Sequence, residues 1–290
     1  MSLELLELLN YTFVQRMFLA GILASIACGI IGTYVVVKRI VFISGGIAHT
    51  TFGGIGFAYY LQYLGVLLID PLIGALFFAL SAAVILALPP IKKRIREDST
   101  IGILWVVGMA LGVLFLNLID RSAILVQDPI SILFGNVLLI NSADLSLMAI
   151  LCLSIIVIVA LLYKDLQILT FDEEFARISG IFVDVLYLLL LVLIALTTVV
   201  LIKVVGVVLV IAMLTIPAAI ANLFSKNLKK MMSLAIFTSI LTTILGMIIS
   251  LISNIPPGAT IVLLMAAVFI ASLVITFLKE KRFSKNYVNN

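Results

Sequence analysis

Long apolar runs separated by short polar connections cover most of the chain. Each run approaches the roughly 20 residues that an α-helix needs to cross a hydrocarbon core of about 30 Å. Lipid offers the backbone no hydrogen-bond partners, so a helix is the structure that such a run adopts in a membrane. The pattern predicts an all-α, polytopic membrane protein with about nine transmembrane helices: Phe13–Val37, Ile40–Leu64, Leu68–Leu88, Thr100–Ile119, Leu145–Tyr163, Val185–Ile202, Val204–Phe224, Met231–Ile252 and Thr260–Leu278.

One further apolar stretch, Ile130–Ile140, is too short to span and predicts a re-entrant or interfacial segment. No Gly/Ser-rich linker, low-complexity tract or polar insertion long enough to fold alone interrupts the sequence. Residues 1–290 are therefore predicted to form a single transmembrane domain. The first ten residues carry Glu4 and Glu7 and no basic start, so we expect no cleavable signal peptide.

The composition argues against soluble proteins. The chain is 64% hydrophobic and 11% charged, with a mean hydropathy of +1.36, whereas a soluble domain is about 25% charged. These values exclude a soluble enzyme, a nucleic-acid-binding protein and a secreted disulfide scaffold. Cys28 and Cys152 lie within apolar runs and are interpreted as small buried hydrophobic residues.

Lysine and arginine residues are distributed unequally between the two ends of the predicted spans. Fifteen of the 18 lie on one set of connections, and only Arg16, Arg121 and Lys203 lie on the other. Because basic residues accumulate on the cytoplasmic side, the N-terminus is predicted outside and the C-terminus in the cytoplasm. The sequence contains no Gly-Lys-Ser/Thr phosphate loop, so any ATP hydrolysis is expected on another chain.

The single histidine, His49, lies in the second run, ten residues after Arg39. At 1.5 Å per residue it is about 15 Å from the cytoplasmic edge, near mid-bilayer. An ionisable group at this depth indicates a function, and neutral imidazole is a common metal ligand. The alternative is a histidine hydrogen-bonded across a helix interface. Small and hydroxyl residues around it favour a pathway-lining helix, although close helix packing also explains the glycines: Ser44, Gly45, Gly46, Thr50, Thr51, Gly53, Gly54 and Gly56.

Carboxylates lie near the predicted outer ends of the spans, where they suggest a ring of oxygen ligands that collects a cation. Asp120 is the strongest candidate because it follows a span, with Asn117 almost one turn earlier. Arg121 offers a simpler explanation, neutralisation of Asp120. Ordinary solvation in loops is the preferred interpretation for the other three, Asp70, Asp128 and Asp144.

The connection "TFDEEFARISG" predicts a short capped helix on the cytoplasmic side. Asp172 is the expected N-cap, and Gly180 follows the last turn. Such a helix either lies on the membrane surface or docks on a partner. Its two acidic residues disfavour the membrane, whose anionic headgroups repel them. The first turn contains Glu173 and Glu174, and the small apolar face consists of Phe175, Ala176 and Ile178.

Three stretches of the chain resemble the membrane permease of ABC importers for zinc and manganese, a branch of the class that also imports siderophores and cobalamin. The first is "VVKRIVFISGGIAHTTFGGIGFAY" and the second is "FDEEFARISGI". The third is "VVGVVLVIAMLTIPAAIANLF", in which the matching residues are Gly206, Leu209, Pro217, Ala218, Ala219 and Ala221. The likeness extends from Phe13 to Leu278. At Gly45 the chain departs from the Asp that many members carry four residues before the histidine.

The resemblance implies a homodimeric permease in the prokaryotic cytoplasmic membrane, bound to two cytosolic ATPase subunits and supplied by an extracytoplasmic metal-binding protein. It implies no permanently bound cofactor, with ATP used by the partner. Asp172–Gly180, which includes Arg177, is then the coupling helix. His49 lines the metal pathway together with Ser44 and Thr50, while Asp120 and Asn117 lie nearer the outer gate.

The leading hypothesis is therefore ATP-driven import of a divalent transition metal, zinc or manganese, with iron as a further candidate. Imidazole suits zinc and oxygen ligands suit manganese, so one histidine with aspartates does not separate the two metals. A siderophore or cobalamin permease is the first alternative. An ion-coupled secondary transporter is a weaker alternative. An intramembrane metalloenzyme is also weaker, because such an enzyme needs about three protein ligands.

Overall fold

The computed structural model describes residues 10–66, 70–88, 95–120, 135 and 140–288 of the chain. Within these residues, eleven α-helices and no strands are present. In chain order they are α1 (Thr12–Val37), α2 (Val41–Tyr63), α3 (Pro71–Ala87), α4 (Glu97–Asn117), α5 (Ser142–Leu161), α6 (Tyr163–Phe171), α7 (Glu173–Ile178), α8 (Val183–Val205), α9 (Val207–Phe224), α10 (Leu228–Ser253) and α11 (Pro257–Val288). The all-α membrane fold predicted from the apolar runs is confirmed.

Each of the nine predicted runs contains one helix, but they are not all equally long. Among the described residues, eight helices are long and apolar enough to cross a membrane. The ninth, α3, has 17 residues and rises only about 26 Å. It starts later than the run predicts, because the Asp70 carboxylate accepts a hydrogen bond from the Leu72 N–H and Pro71 occupies the first helical turn. The predicted re-entrant segment lies outside the described residues except for Gly135 and Ile140.

Two helices form the centre of the packing. Helix α1 packs against α5, α9 and α10, and α2 packs between α3 and α4. Both α1 and α2 are mostly buried, whereas few residues of Pro257–Lys279 in α11 are buried. Lipid provides no hydrophobic drive for association between helices, so close contact at small residues replaces it. At Gly32 of α1, for example, an added Cβ atom would lie 2.2 Å from the carbonyl oxygen of Leu214 in α9.

The glycines of α2 bring its backbone against both neighbours. An added Cβ at Gly54 would lie 2.2 Å from the carbonyl oxygen of Gly74 in α3. On the α4 side, a Cβ at Gly53 would lie 2.7 Å from the carbonyl oxygen of Gly108. Helix α2 is continuous from Val41 to Tyr63. These glycines therefore serve close packing, the simpler of the two explanations offered by the sequence.

Candidate metal pathway and coupling site

His49 lies on the side of α2 that faces α4, against an aromatic ring. The imidazole stacks on the indole of Trp105, with ring centroids 4.2 Å apart and planes inclined by 17°. Its Nδ1 atom lies 3.3 Å from the Sδ atom of Met109. Trp105 and Met109 are four residues apart on α4, so both side chains share one face of that helix. An aromatic ring and a thioether thus contact the histidine that the sequence singles out.

The two predicted hydroxyl residues of the pathway are anchored to backbone carbonyl groups. Ser44 donates a hydrogen bond to the Val41 carbonyl within α2, at 2.7 Å. Thr50 donates to the Gly46 carbonyl at 2.7 Å, and its Oγ1 also lies 3.1 Å from the Leu104 carbonyl oxygen of α4. Thr50 therefore joins α2 to α4 beside His49, whereas Ser44 bonds within its own helix.

The predicted outer residues lie away from the histidine. Asn117 donates to the Val113 carbonyl at 2.9 Å and is exposed, as is Asp120 beyond the end of α4. Asn117 follows Met109 by eight residues, or about 12 Å along the helix. The structure thus does not bring Asn117 and Asp120 to His49, so any role they have belongs to the outer end of α4.

Two of the other outer carboxylates cap helices. Asp70 caps α3, and Asp144 completes a capping box with Asn141 at the start of α5. These positions explain both acids without a ligand, by helix capping rather than by the loop solvation that the sequence suggested. Asp128 and Arg121 lie outside the described residues.

The donor atoms at His49 differ from the expected ligand set. In the described ranges, no three His, Cys, Asp or Glu side chains come together in a way that holds a metal ion. At Gly45, where the resemblance leads one to expect an Asp, an added Cβ would lie 3.3 Å from the Trp105 ring. Sequence reasoning missed Trp105 and Met109. The available signal was that Trp105 is the only tryptophan of the chain.

Helix α7 is the predicted capped helix on the connection between α5 and α8. The Asp172 carboxylate accepts a hydrogen bond from the Phe175 N–H at 2.9 Å, and Glu173 and Glu174 occupy the first turn. Gly180 follows the helix with a φ of 80°, a conformation that favours glycine. The predicted capped helix is confirmed. The chain also forms α6 just before it, which the sequence pattern did not predict as a separate helix.

The predicted apolar face of α7 is divided between the protein interior and its surface. Ala176 is fully buried, whereas Phe175 and Ile178 are 55% and 84% exposed. Arg177 pairs with Asp184 at the start of α8, with an N–O distance of 3.0 Å. Both side chains of this pair are more than half exposed, so it contributes at most about 1 kcal/mol. Helix α7 therefore presents large apolar side chains outward from a fixed base.

A polar group of four side chains lies under α7: Lys38, Glu97, Glu173 and Tyr187. We call it the Lys38 cluster. Lys38 forms an ion pair with Glu173, donates to the Leu169 carbonyl at 3.2 Å, and lies 5.3 Å from the centre of the Tyr187 ring. Tyr187 in turn donates to the Glu97 carboxylate at 2.7 Å. The cluster lines a cleft of about 280 Å³. It joins α7 to the end of α1, the start of α4 and α8.

The third sequence motif contains the break between α8 and α9 and part of the surface that packs against α10. Gly206, with a φ of 83°, separates α8 from α9. Pro217 is buried within α9, where it removes one backbone donor. Ala218 packs against α10 in a small apolar cluster with Met231 and Ala235, and Ala219 is half-buried. These residues position α9 between its neighbours.

Comparison with known proteins identifies the family. The model of the ABC 3 transport family matches residues 10–276. A "probable metal transport system membrane protein" of Chlamydia pneumoniae is 40% identical over 92% of this chain and 89% of its own. The "manganese transport system membrane protein MntC" of Listeria monocytogenes is 31% identical over 96% of both chains.

A solved structure shares the arrangement of the helices as well. In PsaBC from Streptococcus pneumoniae, determined in complex with Fab, one chain superposes with a TM-score of 0.81 and 30% identity. The match covers 94% of this chain and 95% of that one. The chain therefore belongs to the ABC 3 transport family, and it is a transport permease rather than an enzyme.

Proposed function

We propose that the protein is the permease subunit of an ATP-binding cassette importer that moves a divalent transition metal, zinc or manganese with iron as a further candidate, into the cell. The observation that carries this proposal is the position of His49 at mid-helix, in contact with Trp105 and Met109, because imidazole is a common metal ligand. The manganese system named for the Listeria relative supports it. A site with few ligands also suits a cation that has to leave again, because a closed cage of ligands retains its ion.

The proposed energy source is a cytosolic ABC ATPase that docks on α7. Phe175 and Ile178 project outward there, and large apolar side chains next to polar ones are typical of binding surfaces. The Lys38 cluster connects this surface to α1 and α4. A movement of α7 would thereby reach the helices that hold His49. ATP binds and is hydrolysed on the partner in this proposal.

The remaining partners and the orientation in the membrane are inferred from the sequence. We propose a homodimer in the prokaryotic cytoplasmic membrane, with the N-terminus outside, the C-terminus in the cytoplasm and an extracytoplasmic metal-binding protein on the outer face. The distribution of lysine and arginine supports this orientation. In it α7 and the Lys38 cluster face the cytosol, as docking to an ATPase requires, and Asn117 and Asp120 lie at the outer end of α4.

The test is ATP-dependent uptake by the complete transporter. The chain is reconstituted in proteoliposomes with its ATPase and metal-binding protein, and uptake of radioactive zinc and manganese is measured. We expect uptake that His49→Ala abolishes while the complex stays assembled. Ser146→Ala, at an exposed position of α5, is the control and should transport normally. Absence of uptake by an assembled complex that hydrolyses ATP would contradict the proposal and favour a chelated metal as cargo.

A further inference from the structure

We infer that the pathway binds its cation at His49 through one nitrogen and one sulfur donor, and therefore selects zinc over manganese. The sulfur donor is the thioether of Met109. This inference rests on the proposed function for the transport of the ion, but the binding site itself can be tested without transport.

The geometry fits one ion shared by the two side chains. Zinc binds imidazole nitrogen at about 2.0–2.1 Å and cysteine thiolate sulfur at about 2.3 Å, which we take as the guide for the Met109 thioether. Two such donors on a tetrahedral ion are about 3.6 Å apart. The Nδ1 atom of His49 and the Sδ atom of Met109 are 3.3 Å apart. An increase of a few tenths of an ångström thus admits the ion, and the unbranched methionine side chain adjusts by that amount at low cost.

The indole ring fixes the direction of the imidazole. Trp105 stacks nearly parallel to the His49 ring, which limits the rotation of the ring away from Met109. Thr50 links the two helices one residue after the histidine, through its contact with Leu104. The two donors are therefore held by neighbouring turns of α2 and α4, whose backbones touch a turn further along. Rigid placement of donors on packed helices favours selective binding.

The chemistry of the donors decides between the metals. Thioether and imidazole ligands suit zinc, copper and iron, whereas manganese prefers carboxylate, carbonyl and water oxygens. In the part of the chain that the structure describes, no cluster of three metal-binding acidic, cysteine or histidine side chains provides an alternative site. At Gly45 the Trp105 ring lies within 3.3 Å of where a Cβ would stand. A carboxylate side chain at that position would therefore crowd the stacked indole, which would have to shift by a few tenths of an ångström.

Two measurements on the assembled transporter test this inference. X-ray absorption at the zinc edge reports whether sulfur is bound to zinc, and competition between zinc and manganese during uptake reports selectivity. We expect a sulfur scatterer in the wild type, its loss in Met109→Leu, and retention in Met148→Leu, a buried methionine of α5. We also expect zinc to be preferred by about tenfold, equivalent to about 1.4 kcal/mol of binding free energy. Met109→Leu should reduce that preference to about twofold or less.

The possible failures are distinguishable. Zinc bound without sulfur, a preference for manganese, or unchanged selectivity in Met109→Leu would overturn the inference while ATP-dependent uptake upholds the proposed function. Zinc bound through sulfur without ATP-dependent uptake of either ion would instead overturn the importer and support the site. As a gain-of-function test, Gly45→Asp combined with Trp105→Ala should shift selectivity toward manganese. A double variant that still prefers zinc as strongly as the wild type would contradict the inferred role of the donor set.

Discussion

The side-chain nitrogen of Lys38, at the end of α1, forms an ion pair with the carboxylate of Glu173 in the first turn of α7. The lysine side chain is only 8% exposed, whereas that of the glutamate is 46% exposed. The largely buried ammonium therefore depends on this carboxylate and on the Leu169 carbonyl for compensation. Lys38 also lies three residues before the first residue of α2, the helix that carries His49. The contact joins the proposed ATPase surface directly to the proposed pathway.

Reversing the charge at this contact should uncouple the transporter. Glu173→Lys places a second ammonium beside Lys38, where the partly buried site strengthens repulsion. We expect uptake to fall by about tenfold or more, since 1.4 kcal/mol of lost coupling is already tenfold, with ATP hydrolysis no longer stimulated by metal. Glu174→Lys is the variant for comparison with Glu173→Lys, because Glu174 is exposed in the same turn of α7. If the double variant Glu173→Lys/Glu174→Lys binds the ATPase and transports normally, α7 is not the coupling helix.

Removing the indole should release the imidazole. Trp105→Ala deletes the ring on which His49 stacks, and an aromatic pair contributes about 0.5–1.5 kcal/mol beyond its buried area. We expect zinc affinity in calorimetric titrations to weaken several-fold in Trp105→Ala and much less in Trp105→Phe, which keeps an aromatic face. Equal loss in both variants would contradict the stacking role, because Trp105→Phe keeps an aromatic face.

Adding one methyl group between α2 and α3 should destabilise the protein. In Gly54→Ala the new Cβ would lie 2.2 Å from the Gly74 carbonyl oxygen, and overpacking of this kind costs about 1–3 kcal/mol. Thermal unfolding in detergent should therefore begin at a lower temperature. Gly102→Ala is the matched control, because nothing lies within 4 Å of its added Cβ. This change in α4 should be neutral or stabilise by up to about 1 kcal/mol. Similar midpoints for both variants would contradict the packing described for α2.

Neutralising Asp120 and Asp144 one at a time should distinguish an acid that acts in transport from one that caps a helix. We expect Asp120→Asn to reduce uptake at limiting metal concentration more than Asp144→Asn. Asp144 is the third helical residue of the capping box of α5 and accepts a hydrogen bond from the Asn141 N–H, for which asparagine keeps an acceptor oxygen. Initial uptake rates and unfolding midpoints of the two variants give the comparison. Equal effects on uptake would indicate that the outer acids act only as a diffuse field.

The sequence predicted the helices well because length and apolar composition determine what can cross a membrane. One error arose where local polar chemistry moved the start of a helix. Asp70 and Pro71 shortened α3. In the connection after α5, the chain turns at Leu162 and continues as α6, whose buried Leu166 and Leu169 pack against the protein interior. A scan for apolar runs does not detect such a turn.

The sequence predicted the depth of His49 but not the residues that contact it. The depth of His49 followed from counting residues along one helix. Its contacts with Trp105 and Met109 join residues 56 and 60 positions apart, and uniformly apolar helices give no pattern that marks which faces meet. The Lys38 cluster likewise assembles from four separate elements, so no pattern in the sequence indicated that its three charged residues and its tyrosine meet.

The backbone contacts of α2 with α3 and α4 restrict how this permease can change shape. Where glycines meet, no layer of adjustable side chains remains to absorb sliding between helices. We therefore expect the three helices to move as one rigid unit, with Glu97 of the Lys38 cluster at one end of it. A displacement of this unit at its Glu97 end would then also move the imidazole of His49. In the proposed importer, we expect access to change by tilting of this unit against α1, rather than by bending of α2 at its glycines.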